Sequence, residues 1–415
     1  APVELAVDEP ALREAIGRLD TTREPPVEPS IEAADGTVAA VDGEAGEGID
    51  ARDLVEALED ALAQEETTVT VERTSIAPRF SLDDAERLAA RAEDLASRQM
   101  SVAVGQAEAL VPAETLRTWM RAEPADTGLL LRLDTDKVQA DLEALFPEAG
   151  DPPKDASFNV EGDRVTIVPG ASGTACCAEN AGALVLEGPE TRTRPVRVPL
   201  REAQPARTTQ EAEELGIIEK VGEFPTQHAA GQARVTNIHR IADITRGVVI
   251  EPGGTFSVNE FVGERTREKG FVPAGVIYNG EFTEDVGGGI SQYATTLFNA
   301  AFFAGLEFEE YQSHSIYISR YPYGREATLS FPSPDLKIKN PSPYGVLIWP
   351  TYTPSSITVS LYSTRWATGE QTAQFRSASG RCTSVRTVRT RTFTDGHTET
   401  DEVFARYRPS EGVNC

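Results

Sequence analysis

The chain has 415 residues, 40% of them hydrophobic and 25% charged, with a net charge of −27. That balance is globular rather than disordered, and the length accommodates about two to four domains. So acidic a chain lacks the clustered Lys and Arg that nucleic acid demands, and it is not drawn to an anionic membrane surface. No apolar run approaches the roughly 20 residues that span a bilayer. Ala1 is not an initiator methionine, so any membrane anchor is expected in a missing N-terminal segment.

From the amino terminus, two copies of one unit follow each other. Pro25-Pro26-Val27-Glu28-Pro29-Ser30 aligns with Pro152-Pro153-Lys154-Asp155-Ala156-Ser157, an offset of 127 residues, as between Pro26 and Pro153. The same offset carries Gly43 to Gly170, Gly46 to Gly173, Val69 to Val196 and Leu88 to Leu215. Residues 1–127 are assigned to repeat 1 and 128–219 to repeat 2.

Each copy predicts the same elements. A short strand ends at Asp8 or Asp134. A helix follows, with Leu12, Ile16 and Leu19, or Val138, Leu142 and Leu145, on one face. The Pro-Pro segment is extended. Hairpins are predicted over 30–41, about Asp35-Gly36, and over 157–168, about Gly162-Asp163. A helix over 50–64 has a fainter counterpart near 175–186. Strands close the unit at 67–72 and 192–198. Ser81 and Asp84 have capping-box spacing before the last helix, and Thr209-Gln210-Glu211 opens its equivalent. Copy one adds a strand over 100–104 and a helix over 112–120.

Residues 220–366 predict a helix packed on an antiparallel sheet. A helix over 227–245 puts Val235, Ile238, Ile241 and Ile244 on one face. Strands are predicted at 255–258, 270–277, 306–311, 315–319, 328–331, 336–340, 346–350 and 357–363. Between them Gly287-Gly288-Gly289 precedes Ile290, Ala294, Leu297, Ala300, Ala301 and Ala304, an apolar helical stripe over 287–303.

Residues 367–415 predict a β-rich tail. Residues 382–393 alternate β-branched with basic side chains, Asp395-Gly396 turns the chain, and 398–407 returns. A two-stranded ribbon alone is marginal, so a Cys382–Cys415 disulfide is expected to close it, contributing about 2–4 kcal/mol. The arginines are expected on a solvated face. Adjacent Cys176 and Cys177 form a vicinal disulfide or remain thiols. This cysteine usage favours an oxidising, extracytoplasmic compartment. The expected fold class is multi-domain α+β: two repeated modules, a helix-on-sheet core and a β-rich, disulfide-closed tail.

The chemistry concentrates behind the glycines. A helix N-terminus offers free N–H groups and partial positive charge. Ser291, His314 and Glu326 occur in the order nucleophile, base and orienting carboxylate. Gly287, Gly288, Gly289 and Gln292 would border the same pocket. Tyr317, Arg320 and Arg325 lie near His314, and the arginines would recognise a carboxylate bidentately. Three readings stay open: a Ser291 hydrolase or acyl transferase, a binding site without turnover, and a structural core. No Walker loop, dinucleotide fingerprint or zinc-protease helix is present, so no cofactor is expected. His228, His239 and His397 lack metal-ligand spacing, so no metal is expected.

Several motifs together resemble the VanW family. They are Thr236-Asn237-Ile238, Pro252-Gly253-Gly254-Thr255-Phe256-Ser257, Gly287 through Ala300, His314-Ser315, Gly324-Arg325-Glu326-Ala327-Thr328 and Asp335-Leu336-Lys337. The resemblance covers roughly residues 220–366. Many relatives carry Cys where this chain has Ser291, a departure that bears on any thiol chemistry. The repeats resemble the peptidoglycan-binding repeats found before VanW domains and some L,D-transpeptidases, through Phe158-Asn159-Val160, the Gly162–Pro169 stretch by number 162–169, and Gly173. The resemblance implies an extracytoplasmic protein with peptidoglycan or another cell-wall polymer as partner. Binding of peptidoglycan or its stem peptides is the leading expectation. The rivals are papain- or transglutaminase-like acyl transfer or amide hydrolysis with serine in place of cysteine, and a purely structural scaffold.

Overall fold

A computed structural model describes residues 8–97, 100–187, 195–278 and 281–409. The architecture is multi-domain α+β, built from separate small sheets. Two compact units form: Ala1–Pro153 with Ser172–Ala203, and Lys154–Ala171 with Gln204–Cys415.

The internal repeat extends to individual hydrogen bonds. Ser30–Ala34 pairs with Thr37–Val41, and Ser157–Glu161 with Arg164–Val168. Gly46–Gly48 pairs with Thr74–Ile76, and Gly173–Ala175 with Arg201–Ala203. The Glu28 carboxylate accepts from the N–H groups of Arg79 and Phe80, while Asp155 accepts from those of Ala206 and Arg207. Capping boxes at Ser81/Asp84 and Thr208/Glu211 start the helices Leu82–Ala96 and Thr209–Glu214. All of these partners are related by the 127-residue offset that also separates Gly46 from Gly173. The second copy is divided, with its hairpin and last helix in the second unit and its Gly173–Ala175 sheet in the first.

The reason for the paired glycines is close backbone approach. A Cβ on Gly46 would lie 2.1 Å from the Glu24 carbonyl oxygen, and one on Gly173 would lie 2.2 Å from that of Asp151. In each copy the chain beside the Pro-Pro segment presses against this strand. Gly46→Ala or Gly173→Ala is expected to destabilise the first unit by about 2–3 kcal/mol through overpacking. Urea unfolding checks this, and an unchanged midpoint would contradict the close approach.

Some expected elements move. No strand forms at 67–72, and the closing strand is Thr74–Ile76. In copy two the equivalent strand is Arg201–Ala203; within the expected 192–198, Val196–Val198 forms and pairs in parallel with Met100–Val104, and residues 192–194 lie outside the described residues. So does the first strand before Asp8. The helices Glu9–Leu19 and Thr135–Leu145 form and bury Ile16, Val138 and Leu142, whereas Leu19 and Leu145 are exposed.

The second unit is organised around the helix Ser291–Phe303, whose residues from Gln292 to Phe302 are all buried. Buried on every side, it needs cover on every side. A four-stranded antiparallel sheet supplies much of it, in the order Glu219–Gln227, Ser356–Ser363, Val346–Thr353 and Val248–Ile250. The strand runs to Gln227 and a turn follows it, so the next helix is shorter than expected, Ala233–Thr245. A separate three-stranded sheet contains Thr255–Ser257, Lys337–Lys339 and Glu307–Glu310. Pro273–Tyr278 and Glu281–Val286 form a hairpin.

The expected strands at 315–319 and 328–331 do not form. Around the second of these segments, backbone groups of Ala327 and Leu329 find side-chain partners on the central helix. Thr295 Oγ1 donates to the Ala327 carbonyl and accepts from its N–H, both at 3.1 Å, and Ser291 does the equivalent at Leu329.

The tail is corrected in two respects. It is a three-stranded antiparallel sheet, Ala367–Ser379, Cys382–Phe393 and Thr398–Tyr407, rather than a ribbon of two strands. The disulfide that the structure describes joins Cys176 to Cys177, mid-chain and buried in the first unit. Among the described residues the disulfide thus lies mid-chain, at Cys176–Cys177, and not in the tail as expected. Cys415 lies outside the described residues. The sheet gains its stability by joining the second unit: Arg389, 1% exposed, donates to the Phe302 and Leu306 carbonyls at the end of the central helix. The arginines therefore do not share a solvated face. Arg386 is exposed, while Arg389 and Arg391 are buried on the face that also carries Val385 and Phe393.

Candidate functional site

The triple glycine shapes the entry to the central helix. Gly287 and Gly289 have φ of +88° and +90°, a region that L side chains rarely adopt. A Cβ on Gly288 would lie 2.1 Å from the Ala274 carbonyl oxygen. Asn237, fully buried, ties this bend down. Its Nδ2 donates to the carbonyls of Val272 and Gly288 at 2.8 and 2.9 Å, and its Oδ1 accepts from the Val272 N–H at 2.8 Å.

Ile290 occupies the N-cap, with no side-chain cap. Ser291 is the first residue of the helix and not its cap. Its Oγ accepts from the Leu329 N–H at 3.1 Å and lies 3.5 Å from the Leu329 carbonyl oxygen. Gln292 is buried. Its Nε2 donates to Thr226 Oγ1 and the Gln227 carbonyl, both at 3.0 Å, while its Oε1 accepts from Arg234 Nη2 at 2.8 Å. Gln292 does not itself line the cavity described below. It orients Arg234.

His314 and Glu326 are brought together. His314 Nδ1 lies 2.8 Å from Glu326 Oε2, with both side chains buried. That contact leaves Nε2 as the other ring nitrogen. Tyr321 lies beside the imidazole, at 5.4 Å between ring centroids.

A cavity of about 470 Å³ opens over these groups. Gly287, Gly289, Ser291, His314, Tyr317 and Arg320 all line it, together with Arg234 and Tyr321. Gly288 supports its edge from beneath. Arg325 points elsewhere, its guanidinium 5.1 and 4.9 Å from the Phe302 and Phe303 ring centroids. Burial draws the Arg325 pKa down to about 10.

The electrostatics of the cavity are cationic. Burial lowers the Arg234 pKa, and Arg320 nearby pushes it the same way, against the Tyr321 phenol. Burial raises the Tyr321 pKa, and Arg234 and Arg320 pull it back. Among the described residues neither Arg234 nor Arg320 forms an ion pair with a carboxylate. Asp285 and Arg320 both line the cavity from exposed positions, while Arg234 is half-buried. Two forked guanidinium groups, an imidazole and an uncapped helix start can receive one carboxylate.

The sequence reading did not find Arg234. The available signal was Asn237, three residues further along the helix Ala233–Thr245 and buried among Val235, Ile238 and Ile241. Residues three apart share a helix face, so a polar buried position marks which turn faces the site.

Comparison with known proteins places these features. Residues 233–362 match the family described as "VanW like protein". Residues 84–179 match the family described as "Putative peptidoglycan binding domain". The chain is 38% identical over 146 residues to the uncharacterized protein YoaR of Bacillus subtilis (strain 168), a match that covers 35% of this chain and 48% of that protein. The chain thus spans about half the length of this curated relative. No solved structure matches. The chain therefore combines a segment similar to the putative peptidoglycan binding domain with a VanW-like domain.

Proposed function

We propose that the protein works outside the cytoplasm, in the cell envelope, and that the cavity beside Ser291 binds a free carboxylate of a peptidoglycan stem peptide. The observation that carries this reading is the convergence of Arg234, Arg320 and His314 on one cavity. The whole chain carries a net charge of −27, so attraction for an anion is local to such a site. The match of residues 84–179 to a peptidoglycan-binding family favours the wall as the place where the ligand is met. Among the described residues no helix is long and apolar enough to cross a membrane, which says nothing of β-barrels.

A second reading, acyl transfer or amide hydrolysis at Ser291, draws on the buried His314–Glu326 pair beside the same cavity. It requires Ser291 to surrender its proton to the imidazole. The hydroxyl instead bridges the N–H and carbonyl of Leu329. Ser291→Ala separates the two readings. For a binding site, affinity for a stem tetrapeptide stays within about twofold, and unfolding loses about 1 kcal/mol from one unpaired N–H group. Mass spectrometry after incubation with muropeptides should show no new product. A Ser291-dependent product or acyl adduct would make the catalytic reading the correct one.

A further inference from the structure

A second cavity, of about 380 Å³, adjoins the first and shares Asp285, Gly287, Ile290 and Leu329 with it. Arg265 lines it and is only 6% exposed. Its Nη1 donates to Asn259 Oδ1 at 2.6 Å. Its Nε and Nη2 have no hydrogen-bond partner among the described residues. These two atoms form the edge of a guanidinium that holds a carboxylate through two parallel hydrogen bonds.

The nearest interior acid does not satisfy that edge. Asp335 already accepts from the Asn259 and Leu336 N–H groups and from the Ser257 hydroxyl. Burial draws the Arg265 pKa down to about 10, and the charge of Asp335 offsets this only in part. The Phe331 ring lies 6.0 Å from the guanidinium and is 46% exposed, so it shields the group without pairing with it. A buried cation left unpaired is costly to the fold, which fits a group awaiting an anion. The rim has the opposite sign: Glu264, Glu268 and Asp285 line the cavity and are exposed, with Arg267 the one exposed cation beside them.

We propose that this second cavity is a subsite for an amino-acid head group, with its carboxylate on Arg265 and its ammonium among the rim carboxylates. The proposal rests on the stem-peptide reading. It deepens that reading by assigning a ligand with two recognised ends: a free carboxylate at Arg234 and Arg320, and a side chain ending in ammonium and carboxylate on one carbon. A simple dianion would meet three rim carboxylates, and a simple amine would leave Arg265 unpaired.

The test is calorimetric titration of the full chain with two synthetic stem tetrapeptides. They differ only in one side chain, diaminopimelate in the first and lysine in the second. The diaminopimelate peptide is expected to bind on the order of tenfold more tightly. Arg265→Gln should abolish that difference while leaving the lysine peptide unchanged. Arg265→Lys, which keeps charge but not the two-pronged edge, should remove most of it. Thermal unfolding of both variants identifies folded protein. Equal affinities in the wild type, or a preference that survives both substitutions, would overturn the subsite and leave the reading of the first cavity standing. No binding of either peptide would overturn both.

Discussion

Replacing Arg389 with alanine is expected to destabilise the second unit by about 3 kcal/mol, the cost of removing a buried guanidinium from a half-exposed carboxylate and two backbone carbonyls. Arg389 is 1% exposed, and its Nε donates to Asp401 Oδ1 at 2.9 Å. Its Nη1 donates to the Phe302 and Leu306 carbonyls at 3.1 and 2.8 Å. Phe302 ends the buried face of the central helix, where backbone carbonyls lack intrahelical partners. One side chain thus closes the helix and attaches the tail sheet to it. Alanine would leave Asp401 and two carbonyls without these donors. Arg386→Ala is the matched control. Arg386 is exposed and pairs with Glu402, and such pairs contribute about 0.2–1 kcal/mol. Urea unfolding of the second unit measures both, and equal losses for the two would contradict the role given to Arg389.

The largest effect on binding is expected from Arg234. Arg234→Ala should weaken a stem tetrapeptide by roughly 30-fold to 1,000-fold, about 2–4 kcal/mol, within the range lost when one side of a desolvated charge pair is truncated. Gln292 holds this guanidinium through a 2.8 Å hydrogen bond, and Gln292 is itself fixed by Thr226 and Gln227. The side chain is thus oriented before the ligand arrives, which lowers the entropy lost on binding. Arg325→Ala is the corresponding control. Its guanidinium lies over Phe302 and Phe303 and does not line the cavity, so affinity should hold within about twofold. Calorimetry reads both, and an unaltered affinity in Arg234→Ala would contradict the assignment.

What the sequence disclosed and what it hid follow from locality. The hairpin Ser30–Ala34 with Thr37–Val41 was legible because Asp35-Gly36 demands a turn, and both residues have positive φ. The helix Ser291–Phe303 was legible because three glycines precede an apolar run of one period. The repeat was legible because Gly46 and Gly173 answer the same backbone crowding. The tail arginines were misread because alternation tells which residues share a face, not which face is covered. Arg386 and Arg389 fall on opposite faces, and only tertiary packing decides that Arg389 turns inward. Residues 315–319 and 328–331 look like strands by composition. They form none; in the second segment the Leu329 N–H is taken by Ser291, and Thr295 takes that of neighbouring Ala327, from the helix. Ser291, His314 and Glu326 stood out by chain order. Arg234 and Arg265 did not, since a lone arginine on a polar stretch shows nothing of the cavity it lines. The burial of Arg265, the half-burial of Arg234 and the cavities they line become visible only in three dimensions.

The most direct measurement is calorimetric titration of the intact chain with one stem tetrapeptide in two forms, C-terminal acid and C-terminal amide. The acid should bind with a stoichiometry of one, and the amide should bind at least about tenfold more weakly because the guanidinium groups lose their anion. Equal affinity for the two forms, or no heat from either, would contradict a carboxylate site at Arg234 and Arg320.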